Sequence, residues 1–188
     1  PTRPPALVAL VTLNGPFDVL PNGAGICKLG HTTEVTMEEW NRQVAVNLTA
    51  PFVIMQAALP GLIERKGNIV NIGSIAGVRG QAYSAAYNAT KAGIIMMSKG
   101  IALEYARRGV RVNCVCPGGI DTPLVQGVAE TLPSDVNMRL VSRAITVLPP
   151  VTAHPEGIAE ALAYLPPAPP RPLPGAAAAS PAATRLRP

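Results

Sequence analysis

The sequence predicts an α/β fold built on a parallel sheet, because strand-like and helix-like segments alternate at lengths that suit βαβ units. Two segments carry that expectation. Gly67-Asn68-Ile69-Val70-Asn71-Ile72 is a β-branched run bounded by glycines, and it ends at Gly73-Ser74. From Ser84 to Arg108 the apolar residues Ile94, Ile95, Met97, Ile101, Ala102 and Tyr105 recur at helical spacing.

In chain order, Asp18 to Leu20 is a short strand, and Met37 to Glu64 is a helix with disruptions near Pro51 and Pro60. Thr36-Met37-Glu38-Glu39 has the pattern of a capping box that starts this helix. The strand at Asn68 to Ile72 follows, then the helix from Ser84 to Arg108, then a strand at Val110 to Val115. Thr122 to Pro150 has no clear period and is expected to be a mobile substrate lid. Pro166 to Pro188 carries eight prolines and no apolar alternation. It cannot pair as an inner strand and is expected to be extended or disordered.

The 188 residues are 48% hydrophobic, which suits one domain with a buried core. A net charge of +5 would raise nucleic acid as a partner, but its position argues otherwise. Of the 16 basic residues, Arg3, Arg171, Arg185 and Arg187 lie in the irregular ends, leaving twelve against 11 acidic ones. No nucleic-acid partner is expected. No apolar run reaches ~18 residues, so no membrane span is expected, and no secretory signal is visible. Three cysteines, Cys27, Cys114 and Cys116, are an odd number that suggests reduced thiols and a cytoplasmic compartment. Cys114 and Cys116 could suggest a metal, but no further ligands lie nearby, and core packing is the expectation. His31 and His154 lack adjacent acids in sequence and are assigned to surface or cap positions.

Chemistry concentrates in Tyr87-Asn88-Ala89-Thr90-Lys91. On a helix Tyr87 and Lys91 share one face, with Cβ atoms about 5–6 Å apart. Ionising a free tyrosine at pH 7 costs about 4 kcal/mol. A full positive charge at about 4–5 Å, at an effective dielectric of about 20, contributes roughly 3–4 kcal/mol toward it. The phenol then comes within reach of neutral-pH proton transfer. A chance Tyr–Lys pair on an amphipathic helix has the same pattern, so the pair means little without neighbours. Ser74, thirteen residues earlier, leaves the tip of a strand, where open α/β sheets place catalytic groups. Asn47, twenty-seven residues before that serine, sits inside a helix and needs a partner.

With these residues together, the chain from about Pro5 to Leu165 resembles the short-chain dehydrogenase/reductase family. Asp18-Val19-Leu20-Pro21-Asn22-Gly23-Ala24-Gly25 is similar to the family's D-V-L-V-N-N-A-G strand end. Asn47, Ser74, Tyr87 and Lys91 match its catalytic tetrad in order and spacing. Asn113 to Leu124 resembles its N-x-V-x-P-G-x-x-x-T-P-L turn. The resemblance implies a Rossmann-like, doubly wound parallel sheet and an oxidoreductase that uses NAD or NADP on a small-molecule carbonyl or alcohol. In that role Tyr87 exchanges a proton with the substrate oxygen and Ser74 holds that oxygen. Lys91 lowers the tyrosine pKa and holds the nicotinamide ribose, while Asn47 carries a water that links the lysine to solvent. Pro117, Ile120 and Thr122 would seat the nicotinamide, and Asn22, Ala24 and Gly25 would pass beside the adenosine side. Relatives assemble through the helices bearing Asn47 and Tyr87, which implies a homo-oligomer, a tetramer or a dimer.

The chain also departs from the family. No glycine-rich turn follows a strand near the N-terminus, although a Rossmann site needs one to let the backbone approach the pyrophosphate. Gly73 to Gly80 spaces its last glycines wrongly for that turn and reads as the catalytic-serine loop. Pro5 to Leu13 looks like the helix before the family's fourth strand, so the first βαβ units are expected to be missing and Asp18 to Leu20 to form an open edge. Val151 to Leu165 matches the family's last helix, with Pro155-Glu156 as its start signal. The closing strand after it is expected to be lost, which divides the chain into a partial NAD(P)-binding domain, 1–165, and a Pro/Ala tail, 166–188. The chain as given is therefore expected to bind no dinucleotide and to be inactive. A non-catalytic scaffold or regulatory protein derived from the family is the alternative. A serine hydrolase is excluded, because Ile72 and Ala76 stand where G-x-S-x-G needs glycines.

Overall fold

The computed structural model describes residues 17–142, 152–165 and 177–178. Among them the chain forms one parallel sheet of four strands in sequential order: β1 Val19–Asn22, β2 Asn68–Ile72, β3 Arg111–Val115 and β4 Ala177–Ala178. Val19 pairs with Asn68, Asn68 with Arg111, and Cys114 with Ala177. The α/β class and the parallel sheet are those the sequence predicts. The expected remnant helix over Pro5 to Leu13 lies outside the described residues.

Between β1 and β2 runs a long helical rod. Thr36 caps it as expected: its Oγ1 accepts from the Glu39 N–H at 3.2 Å, and the Glu39 carboxylate accepts from the Thr36 N–H at 3.3 Å. Helix α1 is Met37–Val44 and helix α2 is Ala50–Arg65. The break expected near Pro51 lies ahead of it, as a π-helical turn at Ala45–Thr49 that holds Asn47. Pro51 instead sits in the first turn of α2, where its missing N–H costs nothing, and Pro60 lies inside the helix. Met37–Arg65, 29 residues long, contains an 18-residue stretch apolar enough to cross a membrane by length and composition, although the sequence has no continuous apolar run of that length. Met55, Ala58, Leu59 and Leu62 of α2 pack with Ile69, Ala102, Val110 and Val112 into the core. That face belongs to a core helix.

Helix α3, Ala85–Tyr105, links β2 to β3 and ends in a 3₁₀ turn at Ala106–Arg108. Gly109 closes it at φ 83°, a left-handed position that suits glycine. Beyond β3 come α4 Pro123–Glu130, α5 Met138–Ser142 and α6 Pro155–Tyr164. The lid segment is thus partly helical despite its weak period, because Thr122-Pro123 starts a helix with proline at its first position. His154 is the N-cap residue of α6, in keeping with its expected cap position.

The tail needs a correction. Ala177–Ala178 pairs with Cys114 and Val115 as the far edge of the sheet, where the sequence suggested that no closing strand remained. Gly175 to Ser180 is free of proline, so its amide groups can join a ladder, and an edge strand needs partners on one side only.

Candidate active site

The C-terminal ends of β1, β2 and β3 converge on one face, the place where open α/β sheets bind ligands. From β2 the chain passes through Gly73 to Ser74, then into a 3₁₀ turn at Ile75–Gly77. The Ser74 Oγ accepts from the Ala76 N–H at 3.1 Å, and Ile75 N–H donates to the Pro117 carbonyl at 3.0 Å. Gly77 presses its bare Cα against the backbone of α3. A Cβ there would overlap the carbonyl group of Lys91 and the amide of Ala92. This contact sets the serine loop against the helix that carries Tyr87.

All four members of the expected tetrad gather here. The Ser74 hydroxyl stands beside the Tyr87 phenol and acts to lower its pKa. The Lys91 ammonium lies 5.7 Å from the Tyr87 ring centroid and donates to the Ile72 carbonyl at 2.8 Å. Asn47, 1% exposed, finds its partner in the loop after β1. Its Oδ1 accepts from the Ile26 N–H at 2.9 Å, while its Nδ2 donates to the Ile26 carbonyl at 2.8 Å and to Thr90 Oγ1 at 3.2 Å. The π-helical turn presents the amide to that loop, a frequent use of such turns at functional sites. Both ends of the amide are engaged, so its evident work is to tie the loop after β1 to α3.

One electrostatic expectation is overturned. Burial pushes the Tyr87 phenol up to about 12; nearby Cys27 raises it further, and the Ser74 hydroxyl opposes the rise. Burial also lowers the Lys91 ammonium, which is spent on the Ile72 carbonyl. A lysine one turn away suggests a simple Coulomb pair, but desolvation of both groups outweighs their attraction.

The residues expected to seat a dinucleotide occupy one rim. Pro117 is buried, and Ile120 forms a parallel bridge to Ala153 that fixes the turn before Thr122. Thr122 Oγ1 donates to the Ile120 carbonyl at 3.3 Å. Gly25 leaves space beside the tetrad: a Cβ on it would meet Asn47 Oδ1 at 3.5 Å and Lys91 Nζ at 3.6 Å. Ala24 is exposed next to it, whereas Asn22 turns inward and donates to Asn71 Oδ1 at 2.8 Å. A nicotinamide ring and its ribose therefore fit the residues present, whereas no segment of the sequence supplies a glycine-rich cradle for a pyrophosphate.

A cavity of about 390 Å³ opens over Ser74 and Tyr87. Its walls come from the serine loop, the Gly118-Gly119 turn and the inner faces of α4 and α5. Cys27 lines it too, a residue that cysteine counting alone could not place. Its position two residues beyond the Asn22–Gly25 strand end was the available signal. Burial raises the Cys27 thiol to about 12, partly offset by Lys91, so it is neutral. Cys114, on β3, and Cys116, just beyond it, are buried with both sulfur atoms against Gly73, as core residues. His31, expected without an acid, meets Asp135 of the lid at 2.9 Å, a partner 104 residues away in sequence.

A family model for short chain dehydrogenases matches residues 6–133. The 2,5-dichloro-2,5-cyclohexadiene-1,4-diol dehydrogenase of Sphingobium indicum is 45% identical over 124 residues, 65% of this chain and 50% of that protein. The inactive 2-(S)-hydroxypropyl-CoM dehydrogenase 2 of Xanthobacter autotrophicus is 41% identical over 155 residues, 80% of this chain and 66% of that one. Among solved structures, the F189W actinorhodin polyketide ketoreductase with NADPH superposes with a TM-score of 0.75 at 36% identity, covering 86% of this chain and 66% of the other. The chain spans about half the length of the first curated relatives it matches.

Proposed function

The chain belongs to the short chain dehydrogenase family, and we propose that it carries the catalytic half of an NAD(P)-dependent oxidoreductase acting on a carbonyl or alcohol. The observation that carries this reading is the gathering of Ser74 and Tyr87 in the lining of one cavity, with the Lys91 ammonium 5.7 Å from the Tyr87 ring centroid. The dinucleotide, when bound, supplies or accepts the hydride. Pro117, Ile120 and Thr122 would hold its nicotinamide, and Lys91 would hold its ribose hydroxyls.

In the reducing direction, Ser74 orients the substrate oxygen and Tyr87 delivers a proton to it. A phenol raised to about 12 is fully protonated at neutral pH, so it is a ready donor. Asn47 positions the loop after β1 through Ile26 and steadies Thr90, one residue before Lys91. In a version of the protein completed with a nucleotide-binding βαβ half, Tyr87→Phe lowers kcat by orders of magnitude and leaves cofactor affinity nearly intact. Equal turnover by that variant would show that the phenol is not the acid.

A second reading, a non-catalytic scaffold, has a specific observation in its favour. One relative is itself named inactive. The two readings part on whether these residues turn over a carbonyl once a nucleotide half is supplied.

A further inference from the structure

Resting on the oxidoreductase reading, we propose that the substrate is an uncharged, largely hydrocarbon ketone or secondary alcohol whose only polar demand is the reacting oxygen. The cavity above Ser74 and Tyr87 is walled by Leu29, Ile75, Leu124, Val125, Val128 and Leu132. Its polar groups, the Ser74 and Tyr87 hydroxyls with Gln81, Ser84 and Thr152, are all neutral hydrogen-bonding groups. Among the described residues no Asp, Glu, Lys, Arg or His lines it.

Lys91, Lys28 and His31 are engaged with other groups. Lys91 lies 5.7 Å from the Tyr87 ring centroid, outside the cavity lining, and donates to the Ile72 carbonyl. Lys28 pairs with Glu39, and His31 with Asp135; these residues lie outside the cavity lining. An anionic substituent entering the cavity would lose its hydration without meeting a cation, whereas an alkyl group would gain contact with the walls. The raised Cys27 thiol and Tyr87 phenol report the same preference for neutral forms at this place. At about 390 Å³ the space suits a ring with a branched substituent.

The test compares two probes of similar size, 4-isopropylcyclohexanone and 4-oxocyclohexane-1-carboxylate, by saturation-transfer NMR on the 188-residue chain. The neutral ketone is expected to bind at least tenfold more tightly. Val125→Arg, at the cavity mouth, is expected to reverse that order. Equal or tighter binding of the carboxylate by the unmodified chain overturns the proposal, as does saturable binding of neither probe. Failure of the oxidoreductase reading has a different signature: the neutral ketone binds, but the protein completed with a nucleotide half and given NADPH does not reduce it.

Discussion

At the scale of single residues, the balance between burial and charge decides the chemistry. Tyr87 and Lys91 were legible in the sequence as a pair, because helical spacing alone brings them to one face. Their electrostatics were not, because desolvation is a property of everything packed around them. With the phenol raised to about 12, proton donation is available across the neutral range and proton abstraction is not. In the completed protein, carbonyl reduction is thus expected to show no loss between pH 6 and 9 from this group. Alcohol oxidation should climb about tenfold per pH unit over the same span. An oxidation rate that levels off near pH 7 would show that Lys91 does set the phenol. Cys27 was invisible for a related reason: nothing in its local sequence tells whether a loop thiol faces solvent or a cavity.

At the scale of elements, the strands and the two long helices were read correctly to within a few residues, since β-branched runs, caps and helical periods are local signals. The π-helical turn at Asn47 was not, because proline draws attention and the turn lies just ahead of it. The lid helices were missed because their packing partner is a distant loop. There Tyr83, at the unusual φ of 61°, joins three segments. Its carbonyl accepts from Gly30 N–H at 2.9 Å, its hydroxyl accepts from Asn137 N–H at 2.8 Å, and its ring meets His31 edge-on at 5.2 Å. Asp135 and Glu34 raise the His31 pKa, the hydrogen bond that the His31 ring donates to Asp135 most of all. A group raised in the folded state lends its full stabilisation below its ordinary value of about 6.5 and loses it as pH rises through the raised value. The lid latch should therefore be tightest in mild acid. Hydrogen exchange at the Asn137 amide tests this: His31→Gln should weaken protection at pH 6, and the difference should vanish by pH 9. A difference that persists at pH 9 would exclude the imidazolium as the latch.

At the scale of the whole molecule, the described sheet ends at β1 on one side and β4 on the other. The parallel α/β class followed from alternation alone; the two-residue β4 did not, because so short a pairing depends on the neighbour and leaves no pattern of its own. The catalytic face is assembled, yet the sequence holds no glycine-rich phosphate cradle. Titrating the 188-residue chain with NADH and NADPH by calorimetry should accordingly give no tight binding, with Kd no better than about 1 mM, since a ring and ribose alone offer little contact. Micromolar affinity would reveal a phosphate site elsewhere on the chain. What the chain does possess is mechanical. Because Gly77 lets the serine loop seat directly on the peptide groups of α3, the proton donor and its hydroxyl partner share one rigid pedestal. The orientational entropy of aligning them is lost once, when the polypeptide folds, and not again during each encounter with a substrate.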